Sequence, residues 1–98
     1  MITFEYRYDI IPERREEFLK WAREQAMPIW VKMPEVKGFR VYDEILLGSP
    51  HRIVQIDVED LGTLGRLLAN PEVRQIVERL RAFTTNLSES FLTLVFSK

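Results

Sequence analysis

One histidine, two tyrosines two residues apart, and two tryptophans are the side chains in this sequence best suited to chemistry. His51 follows a Gly-Ser-Pro turn and stands in phase with Ile53, Gln55 and Asp57. Alone, an imidazole can move a proton, but a metal site needs further ligands converging from distant elements. The sequence therefore predicts a solvated turn histidine, dispensable for folding, and no metal. Tyr6 and Tyr8 lie on the apolar phase of the opening segment "MITFEYRYDI". Buried there, their hydroxyls would need partners, or would form the polar tips of an aromatic pocket. Trp21 and Trp30 flank Pro28 in the following segment, where a cleft could open. Tyr6, Tyr8, Trp30, Met33 and Phe39 are the candidate lining of a ligand pocket. The bland alternative is that all five are ordinary core. No catalytic residue is assigned.

A second set of residues points to an interface. Glu5 and Arg7 share the opposite phase of the first segment with Thr3 and Asp9. Arg40, Tyr42 and Glu44 form a matching set in the second strand, and Gln55 and Asp57 in the third. With Ile53, Phe91 and Val95 between them, they make a face too apolar to be simply solvated and too charged for a private core. A two-fold copy of the same surface resolves this conflict.

The elements that must carry these groups follow from periodicity. Residues 2–10 alternate as a strand. Pro12 suits a helix start, with Glu13, Glu16 and Glu17 near its positive end. Phe18, Ala22, Ile29 and Met33 keep a helical spacing, and Pro28 predicts a kink or break near Met27. Residues 38–47 read as strand two and 51–58 as strand three, joined as an antiparallel hairpin. Asp60 can cap a short helix over 61–69. Asn70 and Pro71 restart a longer one bearing Val73, Ile76, Val77, Leu80 and Phe83. Residues 89–96 form the last strand. The helix-facing core is expected to hold Phe4, Phe18, Ala22, Ile29, Val41, Val54, Ile56, Val73, Val77, Leu80, Leu92 and Leu94. The order β-α-β-β-α-β is ferredoxin-like, an α+β fold with one antiparallel sheet and its helices on one face. All of residues 1–98 are read as one domain.

Composition narrows the partners. Net charge is −1 and hydrophobic residues make up 46%. That balance gives no basic stripe for nucleic acid. "KGFRVY" at 37–42 resembles an RNA-binding signature only in its first residues. No apolar run is long enough for a membrane span, and no leader pattern opens the chain. Cysteine is absent, which removes disulfides and thiolate chemistry and suits a cytoplasmic protein. Phosphate-cradling glycine loops and serine elbows are missing; "DIIPERRE" lacks the glycine loop that an acylphosphatase needs.

Three stretches carry a family resemblance. They are "FEYRYDI" leading into "IPERREEFLKWAREQ", then "PEVKGFRVYDEI", and then "HRIVQIDVEDLGTLGRLLANPEVRQIVERL". Across nearly the whole chain these resemble the dimeric α+β barrel superfamily, within it the antibiotic-biosynthesis-monooxygenase-like and NIPSNAP-like domains. The resemblance implies a homodimer whose sheets close a barrel between subunits, with ligands held between each sheet and its helices. It implies no cofactor. The His-bearing constellation of haem-degrading relatives is not matched, because the sole histidine here is on a strand. Two functions stay open. The first is a non-catalytic domain that binds a small hydrophobic or aromatic ligand, or regulates. The second is a cofactor-independent monooxygenase-like enzyme for an aromatic or polyketide-like substrate, needing few catalytic side chains.

Overall fold

A computed structural model of the chain describes residues Met1 to Lys98. Strand β1 (Ile2–Ile10) alternates buried and half-buried residues along its length. After a 3-10 turn at Pro12–Arg14, helix α1 (Arg15–Trp21) runs into a π-helical stretch, Ala22–Ala26, and then α2 (Met27–Lys32). Pro28 follows the π stretch inside one continuous helical run, where it gives up a backbone hydrogen bond. The expected irregularity before Pro28 is thus a wide π turn, which keeps the helix continuous instead of breaking it.

Strands β2 (Gly38–Asp43) and β3 (Arg52–Val58) form the antiparallel hairpin. Both are shorter than the alternation suggested. Glu44 to Leu47 leave the sheet, and Glu44 accepts hydrogen bonds from the N–H groups of Leu46 and Leu47 instead of facing a neighbouring strand. Helix α3 (Leu61–Ala69) begins with Asp60 accepting from the Thr63 N–H at 2.7 Å. Helix α4 (Pro71–Phe83) begins with Asn70 accepting from the Glu72 N–H at 2.8 Å. Strand β4 (Thr84–Thr93) starts earlier and ends sooner than expected. The sheet order is β2-β3-β1-β4, wholly antiparallel, with the helices on one face: the ferredoxin-like α+β arrangement.

Nineteen buried apolar residues form one cluster between sheet and helices. Phe4, Tyr6, Tyr8 and Ile10 of β1 and Val54, Ile56 and Val58 of β3 supply the sheet side. Phe18, Trp21, Ala22, Ala26, Trp30, Leu64, Leu67, Val73, Ile76, Leu80 and Phe83 supply most of the helix side. Ile29, Val41 and Val77 are only partly buried.

The expected inward phase of β4 is corrected. Leu92 is 42% exposed and Leu94 75% exposed, while Phe91 pairs with Phe4 and stacks on its ring at 5.3 Å. The cause is a bulge. Between the partners of Arg7 and Asp9, β4 holds one residue more than β1, and Asn86 there takes φ 55°. Thr84, before the bulge, points inward and is buried. One extra residue flips every later side chain to the other face.

His51 is likewise not a free turn residue. Its Nδ1 accepts from the Ile10 N–H at 2.7 Å, and its own N–H is shared between the Tyr8 carbonyl and Asp9 Oδ1 at 3.0 Å each. The proton of a neutral ring must then sit on Nε2. His51 ties the β2–β3 loop to the end of β1.

Ile56 is fully buried at the centre of the sheet, opposite Phe4 and Phe39. Ile56→Ala is expected to cost about 2–4 kcal/mol through lost burial and the cavity left behind. Urea denaturation would measure it; a near-neutral value would contradict the packing described.

Candidate functional site

Between the sheet and the helices is a small enclosed cavity. β1 contributes Tyr6 and Tyr8, β2 Phe39 and Val41, and β3 Val54 and Arg52; the remaining wall runs from Phe18 through the π turn to Trp30, closed by Ile76 and Leu80 of α4. Four of the five expected lining residues, Tyr6, Tyr8, Trp30 and Phe39, thus meet at one place. Met33 does not line it and is buried elsewhere in the core. The free volume is only about 20 Å³, room for one water. A drug-sized site holds about 300 Å³ or more, so a ligand can enter only if a wall moves.

Of the cavity's polar groups, the Trp30 Nε1–H and the Arg52 guanidinium only donate, while the Tyr6 and Tyr8 hydroxyls can donate and accept. Trp30 is 1% exposed, and its Nε1–H is buried without any hydrogen-bond partner. It is directed towards the Tyr6 hydroxyl but closes no bond with it. Burial pushes both tyrosine hydroxyls well above the ordinary tyrosine range, so they stay protonated at any physiological pH. The Tyr6 and Tyr8 rings stack at 6.0 Å, and Phe18 meets Tyr8 edge-on at 5.6 Å.

Arg52 was not foreseen. It stands in phase with Val54, Ile56 and Val58, a charge on the helix-facing side of β3, and that misplaced charge was the signal available in the sequence. Its side chain is 11% exposed. Nε and Nη2 donate to Asp43 Oδ1 and Oδ2 at 2.7 and 3.2 Å. The Arg52 hydrogen bonds hold the Asp43 carboxyl below the usual carboxylate range. Above the helices, Trp21 and Ile76 form the floor of an open groove of about 380 Å³ between the first helical stretch and α4, and both also line the inner cavity.

The residues expected at an interface form a polar belt across the helix-free face of the sheet. Arg40 donates to Gln55 at 3.1 Å and forks onto Asp57 at 2.7 and 2.9 Å. Asp57 also accepts from Thr3 at 2.6 Å, and Gln55 donates to Glu5 at 2.9 Å. Arg7 pairs with Glu5 and donates to Ser90 at 3.1 Å. Arg7 and Arg40 are therefore paired within one chain, with Glu5 and Asp57. Gly38 lies beneath this network, where any Cβ would collide with the Asp57 carboxylate. Tyr42 and Ile53 sit opposite one another on the same face. Phe91 does not belong to it, since the bulge turns its ring onto Phe4, and Glu44 and Val95 lie outside the strands. Among apolar side chains, Ile45, Leu46 and Leu47 in the loop and Leu94, Val95 and Phe96 after β4 are each at least 75% exposed.

The model of the REDY-like protein HapK family matches residues 11–95. This chain belongs to that family. Its fold is similar to that of HapK from Hahella chejuensis, with TM-score 0.80 and 15% identity over 100% of this chain and 96% of that one. It is also similar to SnoaB, a cofactor-independent oxygenase from Streptomyces nogalater, with TM-score 0.79 and 19% identity over 98% and 94%. A dimeric protein of unknown function and ferredoxin-like fold from Bacteroides fragilis aligns with TM-score 0.74 and 9% identity over 95% of each chain. Comparison with curated proteins gives no match. No helix of the HapK-family chain is long and apolar enough to cross a membrane.

The belt predicts acid sensitivity. The Arg40 fork, helped by Thr3, holds the Asp57 carboxyl below its ordinary value. A carboxyl lowered in the folded state stabilises above its unfolded pKa of about 3.9 and loses that contribution as pH falls through the folded value. The thermal midpoint should be flat above about pH 5 and fall below about pH 4. Asp57→Asn should lower the midpoint at pH 7 and weaken the acid-side fall. An unchanged pH profile in a scanning calorimeter would contradict this.

Proposed function

We propose that this HapK-family protein is a homodimeric domain that takes a small aromatic ligand between its sheet and helices. The observation that carries the ligand is Trp30 Nε1. Buried indole N–H groups nearly always have a partner, and an unpaired buried donor costs about 1–3 kcal/mol. Here the orphan lies beside the Tyr6 hydroxyl, without closing a bond to it, in an aromatic cavity. An acceptor atom on a ring-shaped ligand would satisfy it. Entry needs the helix wall to shift, and the π turn with Met27 beside it is the most deformable part of that wall.

The dimer rests on the sheet. Exposed Tyr42 and the Ile45-Leu46-Leu47 loop lie at one end of the sheet and the apolar segment after β4 at the other, two sets of apolar side chains left in water. A second copy covering the helix-free face would bury part of them. The absence of cysteine fits a reducing compartment, and we place the protein in the cytoplasm on that ground.

Likeness to a cofactor-independent oxygenase favours a second reading, catalysis in the same cavity. The substrate would supply the electrons as an electron-rich carbanion, and the protein would bind and shield it. Fold likeness alone is a weak warrant for activity, so the binding reading is the primary one.

A thermal-shift screen of aromatic and quinone-like compounds should raise the unfolding midpoint for some of them, and Trp30→Phe should lose that gain. No shift with any compound would defeat the ligand. Oxygen uptake above the spontaneous rate with an enolisable polycyclic ketone would decide for the enzyme. Sedimentation at micromolar concentration should give twice the chain mass, reduced by Arg7→Glu with Arg40→Glu. A monomeric wild type would defeat the dimer.

A further inference from the structure

Arg52 belongs to two cavities at once. On its inner side it lines the apolar space with Tyr6, Tyr8 and Trp30. On its outer side it lines a polar recess of about 130 Å³ with Ile10, Arg15, Asp43, Glu44, Gly48 and His51. No other residue is shared by these two spaces. The guanidinium is therefore the partition between an apolar chamber and an opening that leads to solvent.

A cation this buried needs a counter-charge. Asp43 provides it from the outer side and is itself 59% exposed. Asp43 engages Nε and Nη2 and leaves Nη1 without a hydrogen bond to it. Arg15 adds a second cation to the recess. Of the two carboxylates there, Asp43 is committed to Arg52, and Glu44 is held by the N–H groups of Leu46 and Leu47. His51 has its Nδ1 committed to Ile10 and leaves Nε2–H as a further donor. Three donor groups thus stand around the mouth, while Trp30 Nε1–H waits unpaired inside.

We infer that Arg52 is the anchor for an anionic head group, so that the ligand is an aromatic acid: a flat apolar body in the inner chamber with a carboxylate, or an equally delocalised oxyanion, on Arg52. This rests on the ligand-binding reading above and names the chemical class that the cavity selects. The planar fork of arginine matches a two-oxygen anion. A ligand carboxylate takes the place that Asp43 holds in the empty protein, and Asp43, exposed, swings out to water. Asp43 is accordingly a competitor for the anchor as well as its counter-ion.

The competition makes the inference testable by isothermal titration with two probes of one shape, 2-naphthoate and the neutral 2-naphthamide. The wild-type protein should bind naphthoate about tenfold more tightly than naphthamide, the difference expected for one charge-assisted fork. Asp43→Asn should tighten naphthoate several-fold and leave naphthamide unchanged. Arg52→Gln should reduce naphthoate to the naphthamide level. A structural ion pair with no ligand role predicts the reverse for Asp43→Asn, which would then weaken or not affect binding. Naphthamide binding as well as naphthoate, or Asp43→Asn weakening naphthoate, would overturn the anionic anchor while leaving the aromatic chamber intact. If neither probe binds the wild type, the chamber itself is not a ligand site and the anchor falls with it. Asp43→Asn keeps an amide oxygen that can accept from Arg52, so that variant carries the test if Arg52→Gln does not fold.

Discussion

The two-faced pairing of β1 is the constraint on which the molecule depends. Every second residue of this strand is wedged under the helices, and Thr3, Glu5 and Arg7 between them join the polar belt. It lies between β3 and β4, so its register sets both neighbours. A slip of one residue would drive Arg7 and Glu5 beneath the helices and bring Tyr6 and Tyr8 out. The far end is locked most firmly. Asp9 accepts from Asn86, from Ser49 and from the His51 N–H, and Ile10 donates to His51. The hydrogen bond from Asn86, with those from Ser49 and His51, holds the Asp9 carboxyl below its ordinary range. These bonds join the β2–β3 loop and the β4 bulge to the same strand end.

The belt on the other face has a consequence for anything that covers it. Bringing an isolated Arg7 or Arg40 against a protein surface would carry a large desolvation cost. Here each already has its carboxylate, Glu5 of the same strand for Arg7 and Asp57 of the neighbouring strand for Arg40, so the network can be covered as a neutral unit. Covered pairs of this kind add little net affinity, because desolvation offsets attraction, and mainly punish a wrong alignment. The affinity of a sheet-to-sheet dimer would come from Tyr42, Ile53 and Leu92 and from the exposed loop and tail. Leu92 enters this set only because of the bulge, which exchanges it with Phe91.

Much of this architecture was legible in the sequence, because strict alternation and helical spacing act locally. β1, β3, both helix caps and the irregularity before Pro28 followed from a few residues each. The phase of β4 did not. Its bulge depends on Asn86 adopting a positive φ beside Asp9, a long-range bond that no local pattern announces. The length of β2 was overestimated for a related reason: Ile45, Leu46 and Leu47 have strand-like composition, but Glu44 turns their backbone away by accepting two of its N–H groups. The aromatic lining was visible as tyrosines in the apolar phase of a strand and tryptophans around a helix-bending proline. Arg52 stands at a strand end, where charges are usually solvated; its phase with Val54, Ile56 and Val58 hints that it faces inward, and its register opposite Tyr8 and Asp43 fixes it there.

The cavity's two walls differ in how they can yield. The sheet wall is tied by ladders on both sides of β1 and β3, and its aromatic side chains stack on one another, so moving one disturbs a whole row. The opposite wall contains a π turn, small residues at Ala22 and Ala26, and a flexible thioether at Met27. Across the open groove its surface is tied to α4 by the exposed Lys32–Glu72 pair, at 3.0 Å, an interaction worth only tenths of a kcal/mol to about 1 kcal/mol. Helix separation is therefore the lower-energy way to enlarge the space. It would lift Trp21 and Ile76, the shared floor of the groove, and join the groove to the inner chamber. Trp30, carried on this wall, would move with it and keep its indole turned to the space that opens. A ligand of the proposed kind would pair the buried Trp30 N–H as the chamber fills.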